Sequence, residues 1–284
     1  MGNSIIIILN AQLHFVKSKI TYLSNMKILT AVLFSFIFIN CMAESSELKD
    51  TTRNLNFIAE ELLIRIRIND ESTADSLILV LQNMSTAQLQ NQLVTDAQKT
   101  AFWLNLYNAF IQKILSENPE QYQNRNKFFS KKQMNVAGNL LSFDFIEHGI
   151  LRRSKNKLSM GYINKTFVGS LEKKLRVRKP DYRIHFALNC GASACPAVAY
   201  YSVEKLDSQL TLAEGLFVLE NCILNQDKKT IETSNIFSWF RADFGGKKGI
   251  KKLIGKYKKQ DYSGYNLIFR PYDWDLMLEN YMEN

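Results

Sequence analysis

Apolar side chains recur along this chain at helical spacing first and in short runs later. Leu55, Ile58, Leu62 and Ile66 repeat at three- and four-residue intervals, and so do Leu77, Val80, Leu81 and Met84; the spacing predicts two amphipathic helices. The clearest helix follows them. Thr95 with Gln98 three residues on reads as a capping box. The run AFWLNLYNAFIQKIL then carries Trp103, Tyr107, Phe110 and Ile114 on one stripe, widened by Phe102, Leu106 and Ala109, and stops before Pro119. A stripe that wide predicts a largely buried helix.

Downstream the periods shorten. Val136 to Leu141 reads as a hairpin turning at Gly138-Asn139. Ser142 then caps a short helix over FDFIEHGILR. The apolar run Ile184 to Leu188 predicts a strand feeding a tight loop, Asn189 to Pro196, with His185 and Ala187 on one face and Phe186 and Leu188 on the other. Ser202 caps a predicted helix from Val203 to about Asn225. Short helices around Ile236–Phe244 and Lys248–Tyr257, and a strand near Asn266–Phe269, close the pattern before an aromatic tail, Pro271-Tyr272-Asp273-Trp274. Helices precede strands instead of alternating with them. The expected fold is therefore α+β, a helical N-terminal half packed on a small sheet in a single domain over residues 44–284.

Composition changes this picture mainly at the N-terminus. With 46% apolar and 22% charged residues, the chain can build a sizeable core. Residues 1–43 stand apart. Met26-Lys27 precedes an apolar run from Ile28 to Ile39, broken only by Thr30 and Ser35, and Asn40-Cys41-Met42-Ala43 leads into polar sequence at Glu44. That is the layout of a secretory signal, cut after Ala43, with residues 1–25 as an upstream extension. The apolar run is shorter than a membrane span requires. Acylation of Cys41 is the alternative, and Asn40 fits it badly because a small residue is expected there. The chain is thus expected to be exported, to a periplasm or a cell surface. Cys190, Cys195 and Cys222 remain after cleavage. So few cysteines exclude a disulfide-stapled scaffold, and the odd count leaves at least one thiol free.

Candidate chemistry gathers at Arg183–Tyr200. Cys190 and Cys195 share a loop of small residues, Gly191 to Ala194, that can turn backbone N–H groups inward. His185 and His148 are the imidazoles beyond the leader able to act as a base, with Glu147 beside the second. Asn105 or Asn108 can orient a histidine, as an amide does in Cys-His-Asn enzymes, or can satisfy buried backbone. The two cysteines can alternatively form a disulfide. Cys222, on a face with Leu219 and Ile223, reads as a core thiol. His148, His185, Cys190 and Cys195 also offer an N₂S₂ set, but H-x₄-C-x₄-C matches no zinc signature, so neither a metal nor a cofactor is expected.

The segments AFWLNLYNAF, LSFDFIEHGILR, RIHFALNCGASACPAV and PYDWDL, in that order, resemble the domain-of-unknown-function 547 family over roughly Leu77 to Leu276. The matching polar positions are Asn105, Asn108, Glu147, His148, His185, Cys190, Cys195 and Pro196. Phe145 stands where the resemblance implies a second acid. The family occurs in exported bacterial proteins and in plant and other eukaryotic proteins. The resemblance implies a location for the site and no particular activity.

Charge completes the reading. Formal net charge is +9. Eleven Lys/Arg against Glu172 and Asp181 lie between Arg152 and Arg183, and eight against Asp243 between Arg241 and Lys259. Without a nucleic-acid motif this leaves a solvated basic face or a weak association with an anionic surface. The leading expectation is a thiol-dependent hydrolase or transferase acting on a small-molecule or peptide substrate, and the competing one is a non-catalytic binding or scaffold module.

Overall fold

The computed structural model describes residues 54–282. The leader, the cleavage point and Cys41 lie outside the described residues. Helix α1 (Leu55–Arg67) opens the fold, with Asn54 as its cap. It turns into α2 (Glu71–Asn83), capped by Asp70, and α3 (Thr86–Gln92), capped by Ser85. The central helix is α4 (Asp96–Glu117). Thr95 and Gln98 form its capping box as the sequence predicts, each side chain satisfying the other's backbone N–H. Every residue from Thr100 to Gln112 is buried, so α4 is enclosed on all sides within the larger of two apolar clusters.

A 3₁₀ turn (Pro119–Asn124) and α5 (Arg125–Ser130) lead to the hairpin β1 (Met134–Val136) and β2 (Asn139–Leu141). The hairpin turns at Ala137-Gly138, one residue earlier than predicted, because Val136 pairs with Asn139. Both turn residues have positive φ, 52° and 69°, which is the twist a two-residue hairpin needs. Their N–H groups donate to Leu81 and Gln82 carbonyls at the end of α2, and this docking holds an alanine in a glycine-like conformation.

The expected helix over FDFIEHGILR is a π-helix (Phe145–Leu151). Ser142 does cap it, Phe145 N donating to Oγ at 3.1 Å. The expected strand at Ile184–Leu188 is a 3₁₀ turn (Tyr182–Phe186), after α6 (Ser170–Leu175). Helix α7 spans Leu206–Asn221 without a side-chain cap; Ser202 instead donates its N–H to Gln209 Oε1 at 3.0 Å. The residues beyond Asn221 form β3 (Ile223–Asn225), which pairs antiparallel with β4 (Thr230–Ser234). After α8 (Ile236–Trp239) and α9 (Gly246–Lys258), β5 (Asn266–Arg270) returns parallel to β4. The architecture is α+β, with the helices of the N-terminal half on the hairpin and a second small sheet near the C-terminus.

Two apolar clusters share the interior. The larger gathers α1–α4, the hairpin and the π-helix. The smaller gathers Phe186, Phe217, Phe237, Phe244, Ile231 and Ile254. The 3₁₀ turn sits between them, sending Ile184, Ala187 and Leu188 to the first and Phe186 to the second. Because α4 anchors the larger cluster, its cap should matter to the whole fold. Thr95→Ala should cost about 1 kcal/mol and lower the melting temperature by about 2–4 °C, read by thermal denaturation. An unchanged melting temperature would remove the capping box from the account.

Candidate functional site

Three asparagines build the Cys loop. Asn105 Nδ2 donates to Tyr201 O at 2.8 Å and its Oδ1 accepts from Tyr201 N at 2.9 Å. One turn on, Asn108 Nδ2 donates to Ala187 O and its Oδ1 accepts from Asn189 N. Asn189, fully buried, donates to Pro196 O and accepts from Gly191 N. The two helix amides therefore clamp the chain on either side of the loop. Neither orients a histidine, because both of their polar groups go to backbone. The C-terminal tail runs along the outer edge: Ser193 N donates to Asp275 O, Ala194 N to Asp273 O and Met277 N to Gly191 O.

Inside this frame Cys190 and Cys195 are free thiols, Sγ to Sγ 2.6 Å. Cys195 Sγ also accepts from Cys190 N at 3.0 Å and from Tyr272 Oη at 3.2 Å. These donors lower the Cys195 thiol from its ordinary value against the opposing effect of burial. Cys190, which gives its proton toward Cys195, is pushed well up, and burial adds to this. The pair thus holds one proton firmly on Cys190 and favours a thiolate on Cys195. The loop's inward N–H groups, expected from its small residues, are spent: those of Cys190, Gly191, Ser193, Ala194 and Cys195 all have internal partners.

The second half of the site is a buried charge network. In the π-helix, residues four apart face one another, so His148 meets Arg152 and approaches Asp144. Arg152 Nη1 lies 2.9 Å from His148 Nδ1, and a guanidinium only donates, so Nδ1 accepts and the proton sits on Nε2. That Nε2 is 3.7 Å from Asp144, while Glu147 lies 3.6 Å from Nδ1. Arg152 Nε donates to Asp243 Oδ2 at 2.7 Å, and His185 Nε2 meets the same oxygen at 2.9 Å. His185 also stacks on Phe240, with ring centroids 3.8 Å apart.

Burial, then Arg152, holds His148 well below the usual imidazole range. Burial outweighs the Asp243 hydrogen bond at His185 and pushes it down to about 4. Asp243, despite its burial, is held down at about 2 by His185 and Arg152. Glu147 moves the other way. Burial, reinforced by Asp144 and Asp243 against the pull of Arg152, pushes its carboxyl up to about 7. Both imidazoles are neutral at pH 7, and Glu147 is the group poised to exchange a proton there.

Both halves open on one cavity of about 690 Å³. Of the residues expected from sequence, it brings together Cys190, His148, His185 and Glu147. Cys195 lies behind Cys190, and Asn105 and Asn108 lie behind the loop. Among the described residues no thiol is hydrogen-bonded to an imidazole. The N₂S₂ set is not assembled, because the thiols bond each other and Tyr272 while the imidazoles bond Arg152 and Asp243; among the described residues no three His, Cys, Asp or Glu side chains converge as metal ligands. Cys222 is buried apart, 3.2 Å from Thr233 Oγ1.

Sequence reasoning missed several participants. Tyr107 lines the cavity, and Glu147 and the two thiols, after burial, push its hydroxyl well up. Trp239, Phe240, Tyr272 and Trp274 form an aromatic wall, Trp239 stacking on Trp274 at 5.5 Å. Asp144, Arg152 and Asp243 carry the charge. Arg152 was open to detection, four residues beyond His148 on a predicted helix. Asp243 lies 91 residues from Arg152 and 58 from His185, and no local spacing announces it.

The network fixes a pH dependence. Glu147 holds its proton more tightly folded than at its ordinary 4.5, so its contribution to stability is full below about 4.5 and is lost as pH rises through about 7. His185 binds its proton less tightly than at its ordinary 6.5, so its contribution is full above about 6.5 and is lost as pH falls toward about 4. Above pH 6.5 only the Glu147 slope remains. Glu147→Gln should therefore gain on the wild type between pH 5 and 8, by up to about 3 kcal/mol in urea unfolding. A difference that does not change with pH would contradict the buried, neutral carboxyl.

Comparison with known proteins adds a family likeness and nothing further. No curated protein matches the chain, and no solved structure does. A family model described as "Protein of unknown function, DUF547" matches residues 90–218. That span holds α4, the π-helix, the 3₁₀ turn and the Cys loop, and it stops short of Asp243 and Tyr272. Over residues 90–218, the segment that carries the loop and both histidines, the chain is similar to the DUF547 family.

Proposed function

We propose that the chain is a hydrolase or group transferase acting through the Cys190 thiol on a small-molecule or peptide carbonyl. One observation carries this reading: a thiol, two neutral imidazoles and a carboxyl held at about 7 line one cavity. Cys190 Sγ bonds to the carbonyl carbon as its proton passes to Cys195 Sγ, 2.6 Å away. The leaving group departs with the proton of Glu147. Water then attacks the thioester and gives a proton to the Glu147 carboxylate, and Cys190 leaves and recovers its proton from Cys195. The His148 Nε2–H and the Tyr107 hydroxyl are the donors available to the oxyanion. The base is thus sulfur and carboxylate, in place of the imidazole expected from sequence, since each ring already spends a nitrogen on Arg152 or Asp243.

A binding module is favoured by one observation, the internal bonding of the loop's N–H groups, which leaves no oxyanion hole in the loop itself. Alkylation separates the two readings. Iodoacetamide should modify Cys190 in the native protein with an apparent pKa above the ~8.5 of an ordinary thiol, because Cys190 holds its proton toward Cys195. Cys195→Ser should lower that value. With p-nitrophenyl acetate as acyl donor, Cys190→Ala and Glu147→Gln should each lower turnover by about 100-fold or more. Native Cys190 that resists alkylation, or a profile indifferent to Cys195→Ser, replaces catalysis with binding.

The same proposal has the protein act outside the cytoplasm, on the strength of the N-terminal pattern. Mass spectrometry of protein from its native cell should find Glu44 as the first residue; a diacylated Cys41 or an intact Met1 would overturn that.

A further inference from the structure

The stretch after Arg152 is unusual in composition and in exposure. From Arg153 to Leu171 there is no acidic residue. The segment is a bonded hairpin. Lys155 bridges Asn164, Asn156 N donates to Ile163 O at 2.9 Å, and Ile163 N donates to Ser159 Oγ at 3.1 Å. Its tip is fastened to the site: Ala242 N donates to Met160 O, and Gly161, at φ 85°, approaches Asp243 so closely that a Cβ would collide with Oδ1. Held this way, the hairpin turns large apolar side chains outward. Leu158 is 89% exposed and Phe167 93%, with Met160, Tyr162 and Ile163 exposed beside them.

We propose that residues 153–167 dock the protein onto an anionic lipid bilayer. Outward apolar and aromatic side chains suit the boundary between headgroups and acyl chains, and flanking cations suit anionic headgroups. Lys157 and Lys165 share their charge with Asp144 and Glu172, whereas Arg153, Lys155, Lys173 and Lys174 pair with no described carboxylate. The same charge argues against a second copy as occupant, because two such faces would oppose cations to cations. Lys157, Leu158 and Met160 also line the cavity, so docking brings its mouth to the lipid–water boundary, where an amphiphilic ligand is met. The inference does not depend on which chemistry the cavity performs.

Hydrogen exchange of the full chain, read by mass spectrometry, tests it residue range by residue range. Vesicles containing equal phosphatidylglycerol and phosphatidylcholine should slow exchange over 156–167 by about tenfold or more, with less effect from phosphatidylcholine alone or at high salt. Leu158→Asp with Phe167→Asp should remove that protection and leave the rest of the exchange map as in the wild type. The positional readout separates the hairpin from the apolar run at Ile28–Ile39, which can hold the chain on vesicles by itself. Unprotected 156–167 in vesicle-bound protein overturns the proposal. Protection that grows with protein concentration in the absence of vesicles, beyond what the hairpin's own hydrogen bonds give, also overturns it, the occupant then being a second copy.

Discussion

The carboxylate of Asp243 is the interaction on which the site depends. A single oxygen receives Arg152 from the π-helix and His185 from the 3₁₀ turn, joining three segments that are far apart in sequence. The group is largely withdrawn from water, so it must be matched closely, and bonds of 2.7 and 2.9 Å supply that match. Arg152 then passes the constraint on to His148 through its other nitrogen. Gly161 marks how little room remains, since the hairpin backbone rests directly on the carboxylate. Loss of Asp243 would leave the Arg152 charge buried without a counterion and both imidazoles without fixed tautomers.

Two kinds of positioning operate side by side. The charged network is held by one anion. The thiol loop is held by amides, with Asn105, Asn108 and Asn189 each making paired donor and acceptor bonds to backbone that would otherwise be buried and unsatisfied. Amides do not titrate, so the loop keeps its geometry across the pH range in which Glu147 changes charge. The proton-exchanging group and the thiol are thereby carried by frames that respond differently to acid. Tyr107, on the same helix as Asn105 and Asn108, lines the cavity from another face of that helix.

Much of the helical half was legible from sequence because its determinants are local. Thr95 and Gln98 are three residues apart, and the stripe on α4 needs only the helical period. The failure at Ile184–Leu188 has a specific cause. The segment is an almost continuous apolar run because the 3₁₀ turn lies between two cores, one taking Ile184, Ala187 and Leu188 and the other Phe186, and two-sided burial imitates a strand. The hairpin slipped by one residue because Gly138-Asn139 is the better isolated turn, while the end of α2 supplies the acceptors that favour Ala137-Gly138. At the site, Cys190, His148, His185 and Glu147 were legible as reactive types near one another in the chain. Asn105 and Asn108 were legible as polar residues in a buried stripe, but their partners, Tyr201, Ala187 and Asn189, lie about 80–96 residues away. Tyr272 stood out only as part of the PYDWDL segment, with nothing to tie it to the thiols, and Asp243 had no local signature at all.

The central claim is that one carboxylate, joined to Arg152 and His185, fixes the proton of each site histidine on Nε2, while burial and Arg152 keep both rings neutral. Nitrogen-15 NMR of the imidazole rings across pH 4–8 tests it most directly. The account predicts that the rings of His148 and His185 stay neutral Nε2–H tautomers throughout the folded protein above about pH 5. It also predicts that Asp243→Asn, which removes the anion that raises His185, moves that ring's titration further down, not toward 6.5, and releases both rings from a single Nε2–H tautomer. Either ring titrating near 6.5 in the folded wild type, or carrying its proton on Nδ1, would contradict it.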